Sequence, residues 1–252
     1  MAGHNKWSKV KHIKAKEDAK KGKMFSRFAH EISIAARDGG GDPSMNPRLR
    51  TAIDTAKSQS MPKDNIERAI KKGTGELEGG AIEEITYEGF GPGGVGMIVQ
   101  VATDNKNRSV ATVRNLFKNN NGSLGEAGTV SYLFDRAGEI RVDREALTEE
   151  EMLEAALEAG ADDVTLEDDE HVVITAADQC AAVAGSLREA GVPVKSQQLI
   201  FVPQSPIELT DTKSANQVLR LYDALDDCEE TIAVFGNFDL TDEVVGELAT
   251  VE

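Results

Sequence analysis

Lys6, Lys9, Lys11, Lys14, Lys16, Lys20, Lys21 and Lys23 crowd the first 25 residues against only Glu17 and Asp18, and the single tryptophan, Trp7, lies among them. Ammonium groups spaced along a segment neutralise phosphates without reading bases, and an indole can stack on an unpaired base. Two further basic pairs follow. Arg48 and Arg50 fall on the exposed face of one helical pattern, and Lys71 and Lys72 fall in the last turn of the next, where they also complement the helix dipole. A third constellation, Asp104-Asn105-Lys106-Asn107-Arg108, sits where a strand ends and a helix begins. Asp104 or Asn105 would cap that helix, but Lys106 and Arg108 lie near a terminus that disfavours cations. The run is therefore a second candidate contact for phosphate or an RNA backbone.

Catalytic signatures are missing. His4, His12, His30 and His171 have no HxxxH or HxH relation, and neither GxxxxGK[ST] nor GxSxG occurs. No catalytic residue, metal, cofactor or small-molecule substrate is expected. Gly89, Gly91 and Gly94 fit GxGxxG, as do Gly91, Gly93 and Gly96. That motif needs a helix after it to hold a pyrophosphate, whereas here a strand pattern follows and Pro92 removes an amide, so a hairpin is expected. The acidic runs Glu149 to Glu151 and Glu167 to Glu170 have no histidine or cysteine at ligand spacing and read as solvated charge. Cys180 and Cys228 form no CxxC pattern, and no apolar run approaches the roughly 20 residues of a membrane helix. A cytoplasmic protein without a membrane partner is the natural expectation.

The charge is unevenly placed. The 252 residues carry 44 acids and 28 bases, a net −16 that by itself argues against nucleic acid. Residues 1 to 75, however, hold 17 bases and 8 acids, a balance of +9, which leaves −25 on residues 76 to 252. Residues 145 to 170 hold 12 acids and no base. A basic module on an acidic body is a common footprint of a nucleic-acid partner, structured RNA as readily as DNA, with a solvated surface on both parts as the alternative from charge alone. The acidic part is expected to limit non-specific retention by repelling phosphate.

The elements that must position these residues follow from periodicity. Phe25, Phe28, Ala29, Ile32, Ala35 and Ala36 form one stripe of a helix over 18 to 38, closed by Gly39 to Gly41. Asn46-Pro47 caps and opens a second helix with Leu49, Ala52, Ile53 and Ala56 inward, and Pro62 opens a third with Ile66, Ala69 and Ile70 inward. The connection between the last two lacks a helix-turn-helix signature. Beyond Gly79-Gly80 the period shifts towards 2. Strands are expected over 82 to 90, 95 to 103 and 129 to 134, with a helix starting at Asp104. A βαββαβ set is expected next: strand 139 to 142, helix 148 to 159, strands 164 to 167 and 171 to 175, helix 177 to 190 and strand 194 to 202. After Pro203 and Pro206 come a helix over 212 to 227 and a strand over 231 to 235, while 241 to 252 is too short and acidic to place. The expected fold class is α+β in three domains. They comprise a basic helical bundle over 1–78, a discontinuous α+β domain over 79–136 plus 204–252, and an inserted ferredoxin-like domain over 137–203.

Several blocks are specific enough to name a resemblance. They are Ala2-Gly3-His4-Asn5-Lys6-Trp7, Lys63 to Gly73 (KDNIERAIKKG), Tyr87 to Val95 (YEGFGPGGV) and Thr103 to Arg108 (TDNKNR), and together they resemble the YebC/PmpR family over nearly the whole chain. One departure is visible: Asn119-Asn120-Asn121-Gly122 stands where a Lys-x-Gly-Gly-like run is expected. The resemblance implies a three-domain cytoplasmic protein without a known catalytic site, of a kind described as probable transcriptional regulators that bind promoter DNA. Other members of the family look like translation factors at the ribosome that help it through proline-rich stretches. A different class also remains open, an acidic interaction scaffold whose basic arm docks on its own body.

Overall fold

The computed structural model describes residues 17–77, 82–167 and 169–250. Lys6, Trp7, Lys9, Lys11, Lys14 and Lys16 lie outside that range, as does the Gly79-Gly80 boundary. Lys20, Lys21 and Lys23 lie on the first helix.

Three helices open the chain: α1 (Glu17–Gly39), α2 (Pro47–Ser58) and α3 (Lys63–Gly73). Asn46 joins the first two. Its side-chain oxygen accepts from the Leu49 amide at 3.0 Å, and its Nδ2 donates to the Ala35 and Gly40 carbonyls at 2.7 and 2.9 Å. One residue thus caps α2 and closes the end of α1. The packed interior follows the expected stripes, with Ile32, Leu49, Ile53 and Ile66 buried. Gly73 permits α3 to lie against α1, since a Cβ there would meet the Ser33 carbonyl at 2.2 Å.

β1 (Glu83–Phe90) and β2 (Gly96–Thr103) form an antiparallel hairpin in register from Glu83↔Thr103 to Phe90↔Gly96. Its turn, Pro92–Gly94, needs left-handed backbone at Gly93 and Gly94, with φ of 71° and 77°. The glycine-rich run is therefore a hairpin turn followed by a strand. α4 (Lys106–Asn119) starts two residues later than expected, because Asn105 supplies the cap by accepting from the Arg108 amide at 3.1 Å. A short β3 (Ser123–Leu124) pairs with β1.

The strand expected over 129 to 134 does not form. Glu88, only 7% exposed, accepts hydrogen bonds from the amides of Gly128, Val130 and Ser131 at 2.9, 2.8 and 2.8 Å, and residues 131–133 curl into a 3₁₀ turn. Donors spent on a carboxylate cannot join a ladder. β4 (Phe134–Asp143) takes over directly, much longer than the expected 139 to 142.

The βαββαβ set continues with α5 (Glu149–Glu158), β5 (Asp163–Glu167), β6 (Glu170–Ala176), α6 (Cys180–Glu189) and β7 (Val194–Pro203). Its sheet order is β5-β6-β4-β7 with every neighbouring pair antiparallel, the ferredoxin-like arrangement. α6 begins three residues after the expected Ala177. Then come β8 (Ile207–Leu209), α7 (Thr212–Asp226), β9 (Thr231–Gly236), β10 (Phe238–Leu240) and α8 (Asp242–Thr250). β9 adds to the far edge of β2, giving the order β3-β1-β2-β9, and β8 pairs in parallel with β10. The acidic tail left unplaced is thus largely helical. Val244 and Leu248, four residues apart, bury on the same core as Val99, Val113, Phe117, Val218 and Leu225 while the carboxylates face outward. The fold is a mixed α+β one, and no helix among the described residues is long and apolar enough to cross a membrane.

Candidate nucleic-acid interface

The helical part meets the sheet-bearing body along a seam held by charge. Arg27 pairs with Asp226 and donates from Nε to the Thr231 carbonyl at 3.2 Å, and Arg37 donates to the Ile82 carbonyl. Two of the expected binding cations belong to this seam. Lys72 Nζ lies 3.2 Å from Asp104 Oδ2. Arg48 reaches Glu31 at 2.9 Å, Asp38 at 3.2 Å and Glu84 across the seam at 3.6 Å. Burial pulls the Arg48 pKa down, but these carboxylates outweigh it and leave it raised.

The run at the start of α4 is committed in the same way. Asn105 caps the helix, Lys106 pairs with Glu83 at 2.7 Å, and Arg108 reaches Asp104 at 2.9 Å and Glu230 at 3.2 Å. The bond from Lys72 is the main cause that holds the Asp104 carboxyl below its ordinary value; burial opposes it and Arg108 adds to it. The density of polar groups in this run therefore has an internal explanation: it neutralises the acids of β1 and of the loop before β9. All five residues of the run are exposed, and Asn107 is the one whose side chain makes no hydrogen bond among the described residues. Between the two parts lies a cavity of about 680 Å³ lined by His30, Lys72, Asp104, Arg108 and Glu230. The His30 Nδ1 there is buried without a partner among the described residues, and burial, then Lys72, lowers its pKa from 6.5.

What remains unpaired is narrower than the sequence suggests. Arg50 donates to the Pro43 and Ser44 carbonyls at 2.9 and 2.8 Å, bracing the turn ahead of α2; its charge attracts Asp42, but it makes no ion pair among the described residues. Lys71 and Arg68 are exposed on the outer face of α3, three residues apart, with no carboxylate partner among the described residues. Sequence reasoning passed over Arg68, although its i−3 spacing from Lys71 was the available signal. The structure thus brings Lys72, Asp104 and Arg108 together as a structural cluster, and leaves Arg68 and Lys71, with Arg50 on α2, as exposed cations of the helical end.

No group of three His, Cys, Asp or Glu side chains among the described residues is placed to hold a metal. Cys180 is buried, which raises its thiol pKa, and both cysteines are free.

Architecture and charge together define a multi-part α+β protein whose helical end carries unpaired cations while the cations at its seam are spent on internal carboxylates. Residues 5–76 match the TACO1/YebC protein N-terminal domain, and residues 82–238 match the TACO1/YebC second and third domain. The chain belongs to the TACO1/YebC family. A relative from Akkermansia muciniphila is 55% identical over 98% of this chain and 100% of its own length; one from Desulfosudis oleivorans is 50% identical over 97% and 99%. Both are named probable transcriptional regulatory protein. The crystal structure of a conserved hypothetical protein, Aq1575 from Aquifex aeolicus, is similar with a TM-score of 0.84 and 45% identity, covering 92% of this chain and 95% of that one.

Proposed function

We propose that the chain is a non-enzymatic, cytoplasmic regulator of gene expression that presents its basic helical end to nucleic acid. One observation carries this reading. On the helical end Arg68 and Lys71 stay exposed and unpaired among the described residues, while the cations around the seam are matched to acids. The relatives' shared name supports the regulatory role. The division into 1–78, 79–136 plus 204–252, and 137–203 belongs to the same proposal, with the two acidic parts as scaffold and partner surface.

A second reading, ribosomal RNA in place of promoter DNA, has its own support. Arg48 is tied to three carboxylates and Arg50 also braces the turn before α2, so the two arginines of α2 are held within the fold rather than presented as a base-reading pair. Backbone and shape recognition suits structured RNA as readily as duplex DNA. Crosslinking in cells followed by sequencing of the bound nucleic acid separates the two: promoter enrichment supports transcriptional control, and ribosomal RNA enrichment supports translational control. If deletion of residues 1 to 24 leaves crosslinking unchanged, the basic end is not the binding surface and a protein-interaction scaffold is the better description.

A further inference from the structure

We infer that the groove between the end of α4 and the outer face of α7 is a second nucleic-acid contact, shaped for an unpaired segment with a base edge against amides and phosphates against two cations. This rests on the nucleic-acid reading above. Lys213, Asn216, Gln217 and Arg220 recur at helical spacing on one face of α7, while Ala215, Val218, Leu219 and Leu221 bury the other. Facing them are Asn119, Asn120 and Asn121, and together they enclose about 440 Å³.

The asparagine triplet is fixed by the way α4 ends. Asn120 donates from its backbone to the Phe117 carbonyl at 3.1 Å and from Nδ2 to the Leu116 carbonyl at 2.9 Å. Asn121 adopts left-handed backbone with φ of 59°, and the Gly122 amide returns to the Phe117 carbonyl at 2.8 Å. Asn119 and Asn121 are left exposed at the rim.

The lining holds five amide side chains, two cations and no carboxylate. That is unusual in a body whose acids outnumber its bases 36 to 11 over residues 76 to 252. Among those bases Lys106, Arg108, Arg141 and Lys195 pair with acids, Arg136 lies over the Phe201 ring, Arg188 bonds Gln197, and Arg144 makes no ion pair among the described residues. Lys213 and Arg220 make no ion pair among the described residues, nor do Arg114 and Lys118 on the outer side of α4. The nearby Asp211 caps α7, accepting from the Ser214 amide at 2.9 Å, and attracts Lys213 through its charge without forming an ion pair with it. Amides donate and accept together, which matches a base edge and adenine best, and guanidinium and ammonium groups match phosphate. Seven residues of helix separate Lys213 from Arg220 by ~10 Å along the axis, enough to bracket a nucleotide and its flanking phosphates.

The test uses the full chain with fluorescein-labelled 12-mers of riboadenylate and ribouridylate. The wild type is expected to favour riboadenylate. At 0.1 M salt each lost phosphate contact on a single strand is worth about 5-fold, so Lys213→Gln and Arg220→Gln should each weaken binding about 5-fold and the pair about 25-fold, with a log-log salt slope shallower by about 1.4. Asn121→Gly suits the left-handed backbone; combined with Asn216→Ala it should abolish the base preference and leave the slope unchanged. Cation variants that bind like the wild type, or a wild type indifferent to the base, overturn the inference. If residues 1 to 24 are required while the groove variants are silent, the inference falls and the proposed function stands. A wild-type chain that binds neither these oligomers nor duplex DNA removes both.

Discussion

Lys71 and Lys72 are adjacent in the chain, yet the structure gives them different tasks, and substituting each by alanine separates a cation free to meet phosphate from one already held. Lys71 is exposed and unpaired among the described residues. Removing one duplex phosphate contact should make the log-log salt slope shallower by about 0.9 and weaken binding at 0.1 M salt about 8-fold. Lys72 must first leave Asp104, 3.2 Å away, in a pair whose side chains are 35% and 28% exposed. Solvent screens such a pair to about 0.5–1 kcal/mol, equivalent to about 2- to 5-fold of competition, so Lys72→Ala should cost only about 2- to 4-fold. Arg68→Ala combined with Lys71→Ala should cost about 60-fold if the two contacts are independent. The assay is fluorescence anisotropy with a labelled duplex titrated at salt from about 50 to 200 mM, with thermal unfolding to confirm that each variant is folded. The reasoning fails if Lys72→Ala loses as much affinity as Lys71→Ala, or if Lys71→Ala leaves the salt slope where it was.

Three further outcomes test the packing around this surface. Asn46→Ala removes a cap and leaves two carbonyls without their donor, so urea unfolding should show a loss of about 2–3 kcal/mol; a loss below about 0.5 kcal/mol would mean that water replaces all three bonds. Glu88→Gln turns an amide towards three N–H donors and should cost about 2–4 kcal/mol. Burial pushes the Glu88 pKa up, but the three amide bonds prevail and hold it below 4.5; its contribution is therefore present above that pH and is lost as the pH falls through the folded value, so the variant should show a flatter acid limb. His30 is half-buried, with its Nδ1 shut off from solvent. Burial and then Lys72 lower its pKa from 6.5, against the opposing pull of Glu229, Glu230 and Asp104. The unfolded chain gains the proton first, so stability declines as the pH drops below 6.5, and His30→Gln should flatten that decline in denaturant melts.

Wherever local chemistry decides the backbone, the sequence was readable. The 3.6-residue stripe of Phe25 to Ala36, the Asn46-Pro47 helix start and the period-2 runs on either side of Gly91 to Gly94 each carry their own cause, and each formed the expected element type. The misplacement at 129 to 134 has a non-local cause, because its amides answer to Glu88, about 40 residues earlier. Likewise, the acidic α8 shows two apolar residues at i,i+4 and becomes a helix only because a core is waiting for Val244 and Leu248.

The candidate site was legible only as a composition. A count of cations cannot say which of them already has a carboxylate, and that pairing is set by how α1 to α3 seat against β1, β2 and the turn before β9. Arg48, Lys72, Lys106 and Arg108, expected as contacts, also pair with Glu84, Asp104, Glu83 and Glu230, which a ligand would have to displace. Arg68 and Lys71 at one end and Lys213 and Arg220 at the other are among the cations that make no ion pair with the described residues, so their removal breaks none there. That difference is why the two sets should separate in binding: the exposed seam pairs are worth about 0–1 kcal/mol each, so seam variants should cost little in stability and less affinity than Lys71→Ala, while variants of the unpaired cations should weaken binding without breaking an ion pair.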